Sequence, residues 1–184
     1  GIKNAVTNSG TALLVRNTDH YNSTYLATGP YVGTPGIEFI ARFAGAYGNA
    51  LSVSVCASAT AYEQQAVTTV NDSAVSVNDT TITVTSGTNI NVGDILAFST
   101  TAATNDYDDG QEYEVTAVST NDITIKKKGS TGGLTRTITN GSNVRRRWKY
   151  YDQVSGAPGT SPDVLAAGGS NDELHIIVVD TDGS

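Results

Sequence analysis

Apolar residues in this chain recur at every second position in short runs, and Gly, Pro, Asn, Asp or Ser interrupts each run before it reaches helical length. A period of two places successive side chains on opposite faces of an extended strand, whereas an amphipathic helix needs apolar residues three and four apart. Ile37, Phe39, Ala41 and Phe43 share one face, and Leu51, Val53 and Val55 alternate with Ser52, Ser54 and Cys56. Further on, Val75, Val77, Ile82 and Val84 alternate with polar residues, and the Gly93-Asp94 turn leads into an apolar segment at 95–98. Tyr113, Val115, Ala117 and Val118 are separated by Thr120-Asn121-Asp122 from Ile123 and Ile125. Short strands spaced this regularly predict a mainly β chain with minor α, an α+β class in which residues 70–140 form a small barrel or sandwich.

Composition narrows the alternatives. Charged residues are only 16% of the chain and Leu is scarce, which excludes a heptad coiled coil. No apolar run approaches the roughly 18 residues of a membrane-crossing helix, so no membrane insertion is expected. The single cysteine, Cys56, excludes an internal disulfide framework and a paired-cysteine zinc site. The sequence has no methionine, and it stops shortly after the β-branched run at 176–179. Both features lead us to expect an interior piece of a longer protein. That uninterrupted run also predicts a central strand buried on both faces.

The net charge of −7 opposes generic nucleic-acid binding. The charge is sharply segregated. Residues 101–122 carry Asp106, Asp108, Asp109, Glu112, Glu114 and Asp122 without a cation, whereas 123–149 carry Lys126, Lys127, Lys128, Arg136, Arg145, Arg146, Arg147 and Lys149 without an acid. Two readings stand side by side: solvated faces that keep strands from pairing edge to edge, or complementary patches through which copies dock. The densest basic and aromatic cluster is Arg145-Arg146-Arg147-Trp148-Lys149-Tyr150-Tyr151. In an acidic chain it is better suited to a protein contact, where Trp, Tyr and Arg are the usual anchors, than to a single nucleic-acid strand. On a strand, Arg145, Arg147, Lys149 and Tyr151 line one face, and Arg146, Trp148 and Tyr150 the other.

Catalytic and metal motifs are weak. Aligning Gly110 with the glycine of a calcium loop puts Tyr107 at a ligand position and Ala117 at the closing glutamate, so the template fails. His20 lies among polar residues, and His175 opens the 176–179 run as a structural histidine. The chain has no nucleophile-elbow, zinc-protease or phosphate-loop pattern, and Gly129-Ser130-Thr131-Gly132-Gly133 reads as a hairpin tip. The expectation is a non-enzyme without cofactor or metal. Residues 141–172 read as loop-rich, with one helical turn at 162–166.

Two segments carry a family resemblance. "IEFIARFAGAYGNALSVSVCAS" (37–58) resembles a signature of contractile-tail sheath proteins of myovirus-type phages, matching at Ala41, Arg42, Gly45, Gly48, Asn49, Leu51, Val53 and Val55. "NDELHIIVVDTDGS" (171–184) is similar to a later strand of the same family, and "YYDQVSGAPGTSP" to the linker before it. Between them, "TTITVTSGTNINVGDILAF" and "QEYEVTAVSTNDITIKKK" resemble the small SH3-like barrels of phage and secretion proteins. The resemblance implies a sheath-type mixed β core from 1–69 and 141–184, carrying an inserted SH3-like barrel at 70–140. It implies a structural virion protein, made in the host cytoplasm, that polymerises with copies of itself around a tail tube protein and contracts. Arg145, Arg146, Arg147, Trp148, Lys149, Asp106, Asp108 and Asp109 are then the candidate subunit contacts. Two other readings remain: a receptor- or glycan-binding module with Tyr107, Tyr113 and Trp148 as its platform, and a hydrolase with dispersed catalytic residues.

Overall fold

A computed structural model of the chain describes residues 50–181 other than Ala74 and Asp109. The alternating run at 37–43, the matching residues Gly45, Gly48 and Asn49, and His20 lie outside the described residues. The chain divides into two compact units, one of Gly1–Cys56 with Leu174–Ser184 and the other of Ala57–Glu173.

In the first unit, β1 (Leu51–Cys56) pairs antiparallel with β8 (His175–Asp180), from Leu51 opposite Asp180 to Cys56 opposite His175. Cys56 is fully buried. The run at 176–179 does not behave as the sequence predicts. Exposure alternates along β8, and Ile176 and Val178 are 48% and 58% exposed. β-branched residues favour a pleated backbone whether or not the face is covered, so the run specifies a strand without specifying its burial.

The second unit is built on a six-stranded antiparallel sheet in the order β2-β7-β4-β5-β6-β3. Its strands are β2 (Glu63–Thr69), β3 (Thr81–Thr83), β4 (Ile95–Ala102), β5 (Tyr113–Ser119), β6 (Asp122–Lys127) and β7 (Ser142–Arg147). Alternation sets the inner face, where Val70, Val75, Ile82, Val84, Ile90, Leu96, Phe98, Tyr113, Val115, Ile123, Ile125, Leu134, Ile138 and Val144 form one core. Val77 breaks the expected pattern and is exposed, because Asn78 turns the chain at φ 73° before β3 begins. In the β5–β6 hairpin the register shifts between Val115 and Ala117. Such a bulge reverses the inside–outside order, which brings Val118 rather than Ala117 against the core.

The sheet curls until its edges meet. Val70, just past β2, bridges Val84, just past β3, and the contact is flanked by Asn71 N–H to Thr83 O (2.9 Å) and Thr85 N–H to Thr69 O (2.8 Å). That single bridge is short of a closed barrel ladder. The unit is also wider than the 70–140 segment read from sequence, because β2 pairs with β7 and β7 with β4.

Two short helices flank the sheet. α1 (Ala59–Tyr62) is capped by Ser58, whose Oγ accepts the Ala61 N–H. α2 (Pro162–Ala166) forms at the helical turn expected at 162–166, with Ser161 as N-cap and Pro162 at the position where its missing N–H costs nothing.

Candidate functional site

The charge segregation seen in sequence is resolved inside the second unit. The acidic stretch and the basic stretch pair with each other across the sheet, and Glu112 is the hub. It sits one residue before β5, at the end of the 103–112 loop. Its Oε1 accepts from Arg147 Nη1 at 2.8 Å and lies 3.7 Å from Arg145 Nη2. Its Oε2 accepts from Lys128 Nζ at 3.2 Å and from the Tyr151 hydroxyl. Lys128 also donates to Tyr151 Oη and to Asp152 Oδ2, both at 2.9 Å. The second acid on Arg147 is its ladder partner Glu63, at 2.9 Å from Nε. Both guanidinium groups lie on aromatic faces, Arg145 over Tyr107 and Arg147 over Tyr151, each at 4.8 Å.

The electrostatics follow from these partners. Burial works against the charge on Lys128 and Arg147, but the hydroxyl and carboxylates around them outweigh it and hold both cations above their ordinary pKa values. The Lys128 hydrogen bond, aided by Gln153, pulls Asp152 below the usual carboxylate range. Burial likewise raises the Tyr107 phenol, against the opposing pull of Arg145.

The opposite face of β7 carries a second ion pair. Arg146 Nη1 is 3.6 Å from Asp94 Oδ1. Burial pushes the Asp94 carboxyl up, and Arg146 and the Asn91 N–H (2.8 Å) oppose that rise. Arg145 and Arg147 on one face and Arg146 on the other reproduce the alternation read from sequence.

This placement decides where each proposed contact residue sits. Arg145 and Arg146 are 4% and 7% exposed and Trp148 is buried, so little of their surface is open to a second copy. Arg147 is partly covered by its two acids. Lys149 and Asp106 are exposed, and Asp109 lies outside the described residues. The Thr100 and Thr104 hydroxyls donate to the Asp106 carboxylate and lower its pKa to about 2. Asp108 faces Arg136 at 3.6 Å. Patches read as complementary between copies therefore complement each other within one chain. The aromatic platform of the glycan-binding reading does not assemble either. Tyr113 is in the core with its hydroxyl near Thr135 Oγ1 (3.0 Å), and Trp148 is buried against Tyr150.

Glu63 and Asp152 carry no signal of their own in the sequence, and Glu112, Lys128 and Tyr151 enter there only as members of acidic, basic and basic–aromatic runs. The available signal was that Arg145 and Arg147 share a face and need anions opposite them. Which anions meet them is a matter of strand order. Comparison with protein-family models, with curated proteins and with solved structures finds no match.

Proposed function

We propose that this chain is part of a contractile tail sheath subunit of a myovirus-type phage, a structural and non-catalytic virion protein that assembles with its own copies around a tail tube. The reading rests on the two segments that resemble the sheath family, and one observation carries it. These segments are far apart in sequence, yet the strand of the first, Leu51–Cys56, is the direct antiparallel neighbour of the strand of the second, His175–Asp180. A chance likeness in two separate stretches has no reason to fall on paired strands. The Ala57–Glu173 unit is then an insertion between them, and we read its curled sheet, with edges touching at Val70 and Val84, as a variant of the small SH3-like barrel. Among the described residues, Asp106 and Lys149 are the exposed members of the proposed lateral contacts.

The test is immuno-electron microscopy of virions carrying this chain, with antibodies raised against it. Labelling along the whole tail shaft at a regular axial repeat is expected. Labelling confined to fibres or to the tail tip would overturn the proposal in favour of a receptor-binding module.

A further inference from the structure

The incoming side of the Ala57–Glu173 unit is bound to its outgoing side by a set of contacts that the Glu112 cluster does not use. The one-turn helix α1 ends in three successive carbonyls, at Thr60, Ala61 and Tyr62. Helices this short are not stable alone, and their terminal carbonyls need partners from elsewhere. Their partners are Arg146 in β7 and Trp148 just after it. Arg146 Nη2 donates to Thr60 O at 2.6 Å, and Nη1 and Nη2 both reach Ala61 O at 3.2 Å. The Trp148 N–H donates to Tyr62 O at 2.8 Å. The Tyr62 hydroxyl then donates to Tyr151 O at 2.9 Å, with the two rings edge to face at 6.5 Å. Asp94 anchors the Arg146 guanidinium from the β4 side.

We infer that 146–151 is a strap that clasps α1 and locks the incoming and outgoing chain of this unit together, so that its fold does not depend on chain continuity with β8. The Arg146 guanidinium and the Trp148 backbone N–H act on the α1 carbonyls, and the Tyr62 phenol acts in return on the backbone of 146–151. The strap also contains its own reporter, because Trp148 is the only tryptophan in the chain.

The experiment uses the full chain with a protease site placed in the exposed loop at 168–171. After cutting, the emission wavelength of Trp148 and its urea unfolding midpoint are expected to match those of the uncut chain. A red shift or loss of the cooperative transition on cutting would overturn the inference. Tyr62→Phe keeps the ring and removes only the hydroxyl. It is expected to speed amide exchange at Trp148 and Tyr151 about fivefold, with β5–β6 amides unchanged. Equal rates at Trp148 in Tyr62→Phe and the parent chain would show that the clasp is not a unit and would overturn the inference equally. Both readouts are independent of whether the chain belongs to a tail sheath.

Discussion

Replacing Glu112 with glutamine removes one negative charge and almost no volume from the hub of the charged cluster. The glutamate side chain is 11% exposed and faces Arg147 at 2.8 Å, Arg145 at 3.7 Å and Lys128 at 3.2 Å. Arg147 and Lys128 each have a second acid, Glu63 and Asp152, and Arg145 is 4% exposed at its side chain. The variant therefore removes the one carboxylate that Arg145, Arg147 and Lys128 share, in a place where Glu112 and Arg145 are both largely buried. Breaking a buried pair from one side costs about 3 kcal/mol or more. Glu63→Gln is the internal control. Glu63 is 22% exposed and Arg147 retains Glu112, so the cost there is about 1 kcal/mol. Urea unfolding of the full chain, followed by Trp148 emission, measures both. Glu112→Gln is expected to lower the midpoint clearly, at an unchanged m-value, and Glu63→Gln only slightly. Equal effects, or a loss below about 0.5 kcal/mol for Glu112→Gln, would refute the view that one carboxylate organises the cluster.

Three further outcomes follow from the geometry. Gly133→Ala would put a Cβ 2.1 Å from Asp79 O and 2.3 Å from Asn78 O, so a loss of about 3 kcal/mol is expected in the same urea assay, and near-parent stability would show that this backbone contact yields easily. Leu134→Ala empties a fully buried site and is expected to cost about 3 kcal/mol, against less than about 0.5 kcal/mol for the exposed Val77→Ala; similar costs at the two positions would remove Leu134 from the core. The third outcome concerns pH. Lys128 sits above its ordinary value, so its contribution is complete below about pH 10 and is lost as pH rises through the elevated value; Asp152 sits below its ordinary value, so its contribution is complete above about pH 4 and is lost as pH falls through the depressed value. The stability difference between the parent chain and Lys128→Met is therefore expected to be flat between those limits, and a difference that disappears near pH 7 would contradict the Lys128–Asp152 link.

Much of the fold is legible in the residues. The strands at 51–56, 113–119 and 122–127, the Gly93-Asp94 turn and the 162–166 helix all follow from alternation, turn residues and capping. β2 escaped notice because Glu63, Gln64 and Gln65 make it polar, and as an edge strand it needs few apolar residues. Leu134 and Ile138 lie in a stretch dominated by glycine, threonine and cations with Arg136 midway between them in the same register, so no alternation marks them, yet both reach the core. The β8 run was legible as a strand but not as an exposed one.

What the sequence determined by itself is the mainly β character, the positions of most turns, and the face on which each residue of β7 lies, because a backbone period of two is a local property. Only the tertiary structure decided what those faces meet. The order β2-β7-β4-β5-β6-β3 sets β7 between β2 and β4, which brings Glu63 to Arg147 and the loop ending at Glu112 onto Arg145 and Arg147. Strand order is set by long-range pairing and by burial of the shared core. A run of acids and a distant run of bases are therefore the same pattern in sequence whether they join two molecules or, as in this chain, close one unit upon itself.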